Sequence, residues 1–327
     1  MNLHDENVYL DSYLAPLAKF LSQEDVTDIF INRPGEVWIE TLGGDISRIE
    51  MPELSRLVLE RLARQIASTN AQGINREHPL LAGSLPDGSR VQVVLPSATR
   101  GEVAMAIRRH RSVGLTLDLL DSAGAFDTES VNAAEHQIRP HSGMDWTCAK
   151  REVLRQCVQS RQTILIAGGT STGKTTFLNA LLKEIGQSER LITIEDTAEI
   201  ELIHPNSVGL IASRGSMGEA RICADDLVTA ALRMRPDRII LGEVRGPEAL
   251  TFLRAVNTGH PGSMSTIHAD SCDHAIDQLA LLVIQAGTSM SFGDITSYIR
   301  RTIDVVVHLD RLDGARKVRS ISKLKQN

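Results

Sequence analysis

Aromatic residues make up only 3% of this 327-residue chain. That leaves little material for a binding surface built on stacked bases. The four cysteines, Cys148, Cys157, Cys223 and Cys272, are scattered and form no Cys-x-x-Cys pair. This argues against structural zinc and for core thiols in a reduced, cytosolic chain. No apolar run approaches the roughly 18 residues a spanning helix needs, and Leu279 to Ile284 reads as a buried helix segment. Met1 to Glu6 shows no basic stretch ahead of an apolar one, so no secretory leader is expected. Positive charge is not in excess: 35 Lys and Arg against 41 Asp and Glu give a net charge of −6. The chain is therefore no basic nucleic-acid coat, and no sequence-specific nucleic-acid binding is expected. Internal repeats and low-complexity tracts are lacking as well.

What is present is ordinary globular material, 42% hydrophobic and 23% charged, in a length that suggests two domains. Residues 7–22 have the apolar spacing of one amphipathic helix (Val8, Leu10, Leu14, Leu17, Ala18, Leu21). Asp28 to Ile31 and Val37 to Glu40 read as strands around the turn Asn32-Arg33-Pro34-Gly35. Residues 52–68 read as a helix with Leu54, Leu57, Val58, Leu62 and Ile66 on one face. The turn Leu85 to Arg90 then feeds a strand at Val91 to Val94, and Val103 to Ile107 is another. This half predicts a small α+β domain over 1–120. Residues 121–144 are polar and punctuated by Gly and Pro, and are read as a linker. Over 145–327 apolar strands (Thr163 to Ala167, Leu191 to Ile194, Arg238 to Leu241) alternate with helical stretches at 225–234, 247–256 and 274–286. That alternation predicts an α/β domain with a mostly parallel sheet covered on both faces.

Four motifs carry chemistry. The first is Gly168-Gly169-Thr170-Ser171-Thr172-Gly173-Lys174-Thr175, followed by Thr176, with a strand before it and a helix after it. It meets every position of the phosphate-loop pattern. Its glycines let backbone N–H groups converge on phosphates at a helix N-terminus. Lys174 would reach the outer phosphates and Thr175 would offer its hydroxyl to Mg²⁺. The second is the apolar strand Arg238 to Leu241, ending in Gly242-Glu243-Val244-Arg245-Gly246. It delivers Glu243 where phosphate-loop NTPases keep the acid that supports Mg²⁺. The third is Arg190 to Glu199, a strand delivering Glu195, Asp196 and Glu199 at its C-terminal end, where ligands of open α/β sheets sit. A carboxylate there could orient or deprotonate an attacking water, or belong to an exposed acidic loop. The fourth is Asn257 to Ala269, a Gly-punctuated loop with His260 leading into a strand that ends at His268. Neutral imidazoles can hydrogen-bond a γ-phosphate; they are also common as plain structural residues.

These boxes, in this order, resemble the secretion-ATPase superfamily, a branch of the P-loop NTPases, and within it the VirB11 family of type IV secretion ATPases. Leu85-Pro86-Asp87-Gly88-Ser89-Arg90 and Ala106-Ile107-Arg108-Arg109 resemble that family's N-terminal segments. The resemblance implies a RecA-like C-terminal domain behind the smaller α+β domain. It implies a homo-hexameric ring that hydrolyses ATP with Mg²⁺ and powers pilus assembly or substrate export. It further implies a peripheral position at the cytoplasmic face of the bacterial inner membrane, with inner-membrane secretion components as partners. By the match Glu195 is the leading catalytic base, and Glu243 assists Mg²⁺ and water. His268 and His260 would sense the γ-phosphate, while Arg90 and Arg108 add cationic contacts. A type II secretion or type IV pilus ATPase is the neighbouring reading. Type II members usually carry a four-cysteine module late in the chain, and here only Cys272 follows Cys223. A nucleotide-gated scaffold with little turnover is the reading from another class; Glu195 and Glu243 speak against it. Near the end, Arg316, Lys317, Arg319, Lys323 and Lys325 occur without an acid among them. They read as a solvated edge strand or tail, or as a contact for anionic lipid.

Overall fold

The structure is a computed structural model and describes residues 8–42, 44–109, 114–127, 149–212, 222–312 and 315–324. The described residues divide into two compact units: those before residue 112, with Ile222, and the remainder.

The first unit begins with α1 (Val8–Leu14), a 3-10 turn (Ala15–Leu17) and α2 (Ala18–Leu21). The single helix expected over 7–22 is thus interrupted. Pro16 sits at the start of the 3-10 turn, and lacking an N–H it cannot continue the helical ladder. Strands β1 (Val26–Ile31), β2 (Gly35–Thr41) and β3 (Ile46–Met51) follow, then α3 (Arg56–Thr69), β4 (Leu80–Ser84), β5 (Arg90–Val94) and β6 (Ala104–Arg108). Ser55 caps α3 by accepting from the Val58 N–H. The buried stripe of α3 is Leu59, Leu62, Ala63, Ile66 and Ala67. Leu57, expected on that face, is 55% exposed, because two residues before Leu59 is the far side of a helix of 3.6 residues per turn. The sheet runs β3-β2-β1-β6-β5-β4 and every pair is antiparallel.

The second unit contains α4 (Leu117–Ser122), α5 (Lys150–Gln159), β7 (Ile164–Gly168), α6 (Lys174–Leu182), β8 (Leu191–Glu195), β9 (Ser207–Ile211) and α7 (Ala224–Leu232). It continues with β10 (Arg238–Leu241), α8 (Glu248–Asn257), β11 (Met264–Ile267), α9 (Cys272–Gln285), α10 (Phe292–Thr302), β12 (Val305–Leu312) and β13 (Ala315–Lys323). Its sheet runs β13-β12-β7-β11-β10-β8-β9, parallel throughout except for the β12–β13 hairpin. Leu165 and Ala167 of β7 join one apolar cluster with residues of α7 to α10. Ile164 and Ile166 join another with α4, α5 and α6. Strand side chains alternate between faces, so this division shows helices covering both sides of the sheet. The α/β architecture follows the predicted alternation.

Residues 114–120, grouped with the N-terminal domain in the sequence reading, lie in the second unit. Thr116 caps α4, and Leu117, Ala125 and Phe126 are buried in the cluster that holds Val153 and Leu154 of α5. Of the expected linker, residues 128–144 fall outside the described residues. Of the basic C-terminal stretch, Arg316, Lys317, Arg319 and Lys323 lie on the edge strand β13, and Lys325 falls outside the described residues. Cys157 and Cys272 are buried and Cys223 is exposed; Cys148 falls outside the described residues. Among the described residues no helix is long and apolar enough to cross a membrane.

Candidate functional site

Strand β7 is buried along its whole length and delivers the Gly168–Thr175 loop at the C-terminal edge of the sheet. Two positions there exclude a side chain. A Cβ on Gly168 would lie 2.4 Å from Thr172 Oγ1 and 3.1 Å from the Leu309 carbonyl oxygen. Gly173 has φ +87° at the N-cap of α6, a conformation glycine takes without penalty. Thr172 Oγ1 donates to the Gly169 carbonyl at 3.0 Å. The Lys174 ammonium donates to the Gly168 and Gly169 carbonyls at 2.9 and 3.0 Å. The loop therefore ends in a helix start whose first N–H groups have no intrahelical acceptor, a favourable place for phosphate oxygens.

Four acids arrive from β8, the loop after it, and the end of β10. Glu243 Oε1 stands 4.0 Å from Lys174 Nζ, and its Oε2 pairs with Arg245, which also reaches Asp196 at 3.5 Å. The Glu199 carboxylate accepts from Thr175 Oγ1 at 3.0 Å. Glu195 is only 8% exposed; its Oε1 accepts the Glu199 and Ile200 N–H groups, each at 2.9 Å. A Cβ on Gly242 would meet Glu195 Cγ at 3.1 Å, so this glycine leaves space for the Glu195 stem. Buried Asn179 of α6 ties the acidic loop to the phosphate-loop helix. Its amide donates to the Glu199 carbonyl at 3.0 Å and its oxygen accepts from the Glu201 N–H at 3.1 Å.

The two histidines part company. Ile267 pairs with Ala167, so His268 leaves β11 beside the start of the phosphate loop, and it is exposed. His260 precedes β11 at the opposite edge of the sheet, where its Nδ1 donates to the Pro236 carbonyl at 3.1 Å. Within the chain His260 is not brought to the loop. In the first unit Arg90 and Arg108 are direct cross-strand partners on β5 and β6, and Arg108 has Asp28 of β1 on its other side.

The sequence names Glu199 among the acids at the end of β8 and Arg245 beside Glu243 without giving either a role of its own, and Asn179 not at all. Glu199 stands in the acidic box, four residues after Glu195, and that position is its signal. Asn179 faces inward from a helix and carries no motif. The donor set for a divalent ion is a threonine hydroxyl with carboxylates nearby, all hard oxygens, which suits Mg²⁺. Among the described residues no group of three or more His, Cys, Asp or Glu could hold a metal ion by itself.

A family model described as type II/IV secretion system protein matches residues 11–325. The type IV secretion system protein VirB11 of Bartonella henselae is 37% identical, covering 98% of this chain and 95% of its own. The type IV secretion system protein PtlH homolog of Bordetella bronchiseptica is 39% identical over 95% and 93% of the two chains. Among solved structures, the VirB11 ATPase of the Brucella suis type IV secretion system, in complex with sulphate, is 32% identical with a TM-score of 0.51. It covers 97% of this chain and 98% of its own. The pilus retraction motor PilT with bound ADP, at 19% identity and a TM-score of 0.63 over 97% and 83% of the two chains, shares the fold. The chain belongs to the type II/IV secretion system protein family and is similar to its VirB11 members.

Proposed function

We propose that this VirB11-type family member hydrolyses ATP and, as a homo-hexameric ring, powers substrate export or pilus assembly by a type IV secretion machine. The observation that carries the reading is the convergence of Lys174, Glu243, Thr175 and Glu199 at one end of a buried parallel sheet. A triphosphate seated on the N–H groups of residues 169–176 would meet Lys174 at its outer phosphates. Glu243 orients a water and accepts its proton as the water oxygen attacks the γ-phosphorus. The bond to the β–γ bridging oxygen breaks and ADP leaves. Arg245, paired to Glu243, holds that carboxylate in place. Thr175 with Glu243 and Glu199 would hold Mg²⁺, which supplies charge neutralisation on the β- and γ-phosphate oxygens. Glu195 acts through the backbone: its two accepted N–H groups set the turn that carries Glu199.

His268 lies where an imidazole can register the γ-phosphate. Kinship with the VirB11 family supports a nucleotide-contacting role for Arg90 and Arg108. The kinship with VirB11 supports binding to inner-membrane secretion components and a peripheral membrane location.

The test is hydrolysis by the purified chain with Mg²⁺. Lys174→Ala abolishes turnover, Glu243→Gln lowers it by about a hundredfold or more, and Arg90→Ala lowers kcat while leaving the fold intact. A Lys174→Ala protein with undiminished hydrolysis rejects the reading.

A further inference from the structure

The phosphate loop has two flanks of opposite character. On the β11 side, β10 and β8 bring Glu243, Glu195 and Glu199. On the other side β12 pairs with β7 in parallel, Leu309 against Gly168, so the β12–β13 hairpin continues past the loop. Its end is basic. Arg311 and Arg316 are cross-strand partners there, and both are exposed. Arg316 reaches the loop itself: a Cβ on Gly173 would lie 2.9 Å from Arg316 Cδ, 3.4 Å from Nε and 3.7 Å from a terminal nitrogen. The absence of a side chain at Gly173 thus admits the Arg316 stem, and the guanidinium is carried to the rim of the loop. Lys317 donates to the Gly124 carbonyl and Arg319 pairs with Asp310 at 2.7 Å.

The direction of the nucleotide decides what Arg316 meets. Resting on the reading above, the γ-phosphate lies at Lys174 and Glu243, toward the acidic flank. The loop cups the middle of the chain of phosphates. The α-phosphate and nucleoside must then leave over the other flank, toward the hairpin. We infer that Arg316 is a nucleotide-binding residue that grips the α/β-phosphate portion shared by ATP and ADP, from the same chain as the phosphate loop.

A group that holds substrate and product alike contributes uniform binding and leaves the chemical step untouched. Arg316→Ala in the full-length chain therefore raises the Kd for Mg-ADP about tenfold, the worth of one charge-assisted hydrogen bond. The KM for ATP rises in step and kcat is not reduced. Arg316→Gln, which keeps a carbon at the δ position over Gly173 and drops the charge, shows the same loss. Arg316→Lys recovers most of it. Arg319→Ala, on the same strand, binds ADP like the parent. Calorimetry with ADP and Mg²⁺, steady-state hydrolysis, and a thermal melt of each variant give the readouts. ADP affinity within about twofold of the parent in both Arg316→Ala and Arg316→Gln overturns the assignment while the ATPase reading stands. So does a fall in kcat with KM unmoved. A parent chain that takes up no nucleotide overturns both.

Discussion

The Thr175 hydroxyl and the Glu199 carboxylate are joined by a 3.0 Å hydrogen bond between the phosphate-loop helix and the loop after β8. On the proposed reading the hydroxyl would face Mg²⁺, and Glu199 would orient that metal-binding group. Partners of this kind are commonly worth about 10- to 100-fold in metal affinity or activity. Glu199→Ala is expected to lower turnover within that range and to move the Mg²⁺ dependence of hydrolysis to higher concentration. A Mg²⁺ titration of the rate reads it.

Glu195 and Glu243 are separable. Glu195→Gln keeps an oxygen that can accept the Glu199 and Ile200 N–H groups, so it retains most of the hydrolysis. Glu195→Ala strands both donors and destabilises the second unit by about 2–3 kcal/mol, as expected for hydrogen bonds to a charged acceptor. Glu243→Gln behaves in the opposite sense, stable but slow. Urea midpoints beside kcat for the three variants decide between a positioning role and a proton-accepting role for Glu195.

Arg238 opens β10 with only 1% exposure, and Glu189 holds it with two bonds of 2.8 and 2.7 Å. Its remaining nitrogen donates to the Val158 carbonyl at 2.9 Å. Burial works against the charge on Glu189, and the guanidiniums of Arg238 and Arg161 outweigh it, keeping the carboxyl below its ordinary pKa. Removing one partner leaves a half-buried charge and carbonyls without donors. Arg238→Ala should therefore cost about 3–5 kcal/mol, measured by denaturant unfolding. This pair lies at the sheet edge away from the phosphate loop, so ATP affinity of the folded variant stays near that of the parent.

In the first unit Glu36 accepts from Arg33 at 3.0 Å, from Trp38 at 3.2 Å and from Arg48 at 2.8 Å. The Arg33 bond above all, with burial opposing it and Trp38 and Arg48 assisting, lowers its carboxyl from 4.5 to about 2. A group depressed in the folded chain binds fewer protons there than in the unfolded chain. Its contribution is thus complete above about pH 4.5 and fades as the pH falls toward 2. Arg33 is 67% exposed, so solvent screening keeps the effect modest. Glu36→Gln should flatten the acid limb of a stability-against-pH curve between those values and leave the neutral plateau lower.

Several features were legible because their signal is contained in a short stretch. The phosphate loop is a run of neighbours, and its strand-before, helix-after context is visible in the hydrophobic pattern. The acids of β8 and β10 follow apolar runs that are buried on both faces. Half-solvated edge strands were harder: β3 buries only Met51 fully, and β4 only Leu81. Such strands lack the strict alternation that marks a strand with one dry face. Pro16 was the available warning that one helix would break in two.

By itself the sequence determined the chemistry on offer: a phosphate cradle, a lysine, carboxylates at strand ends, and a parallel sheet to carry them. Those assignments depend on backbone conformation and period over a few residues. The tertiary structure decided which of them meet. It set Glu199, and not Glu195, on the Thr175 hydroxyl, left His260 at the far edge of the sheet, and folded the last hairpin so that Arg316 lies over Gly173. These partners are far apart along the chain. Strand order and the hand of the crossovers bring them together, and no local pattern of residues encodes that order.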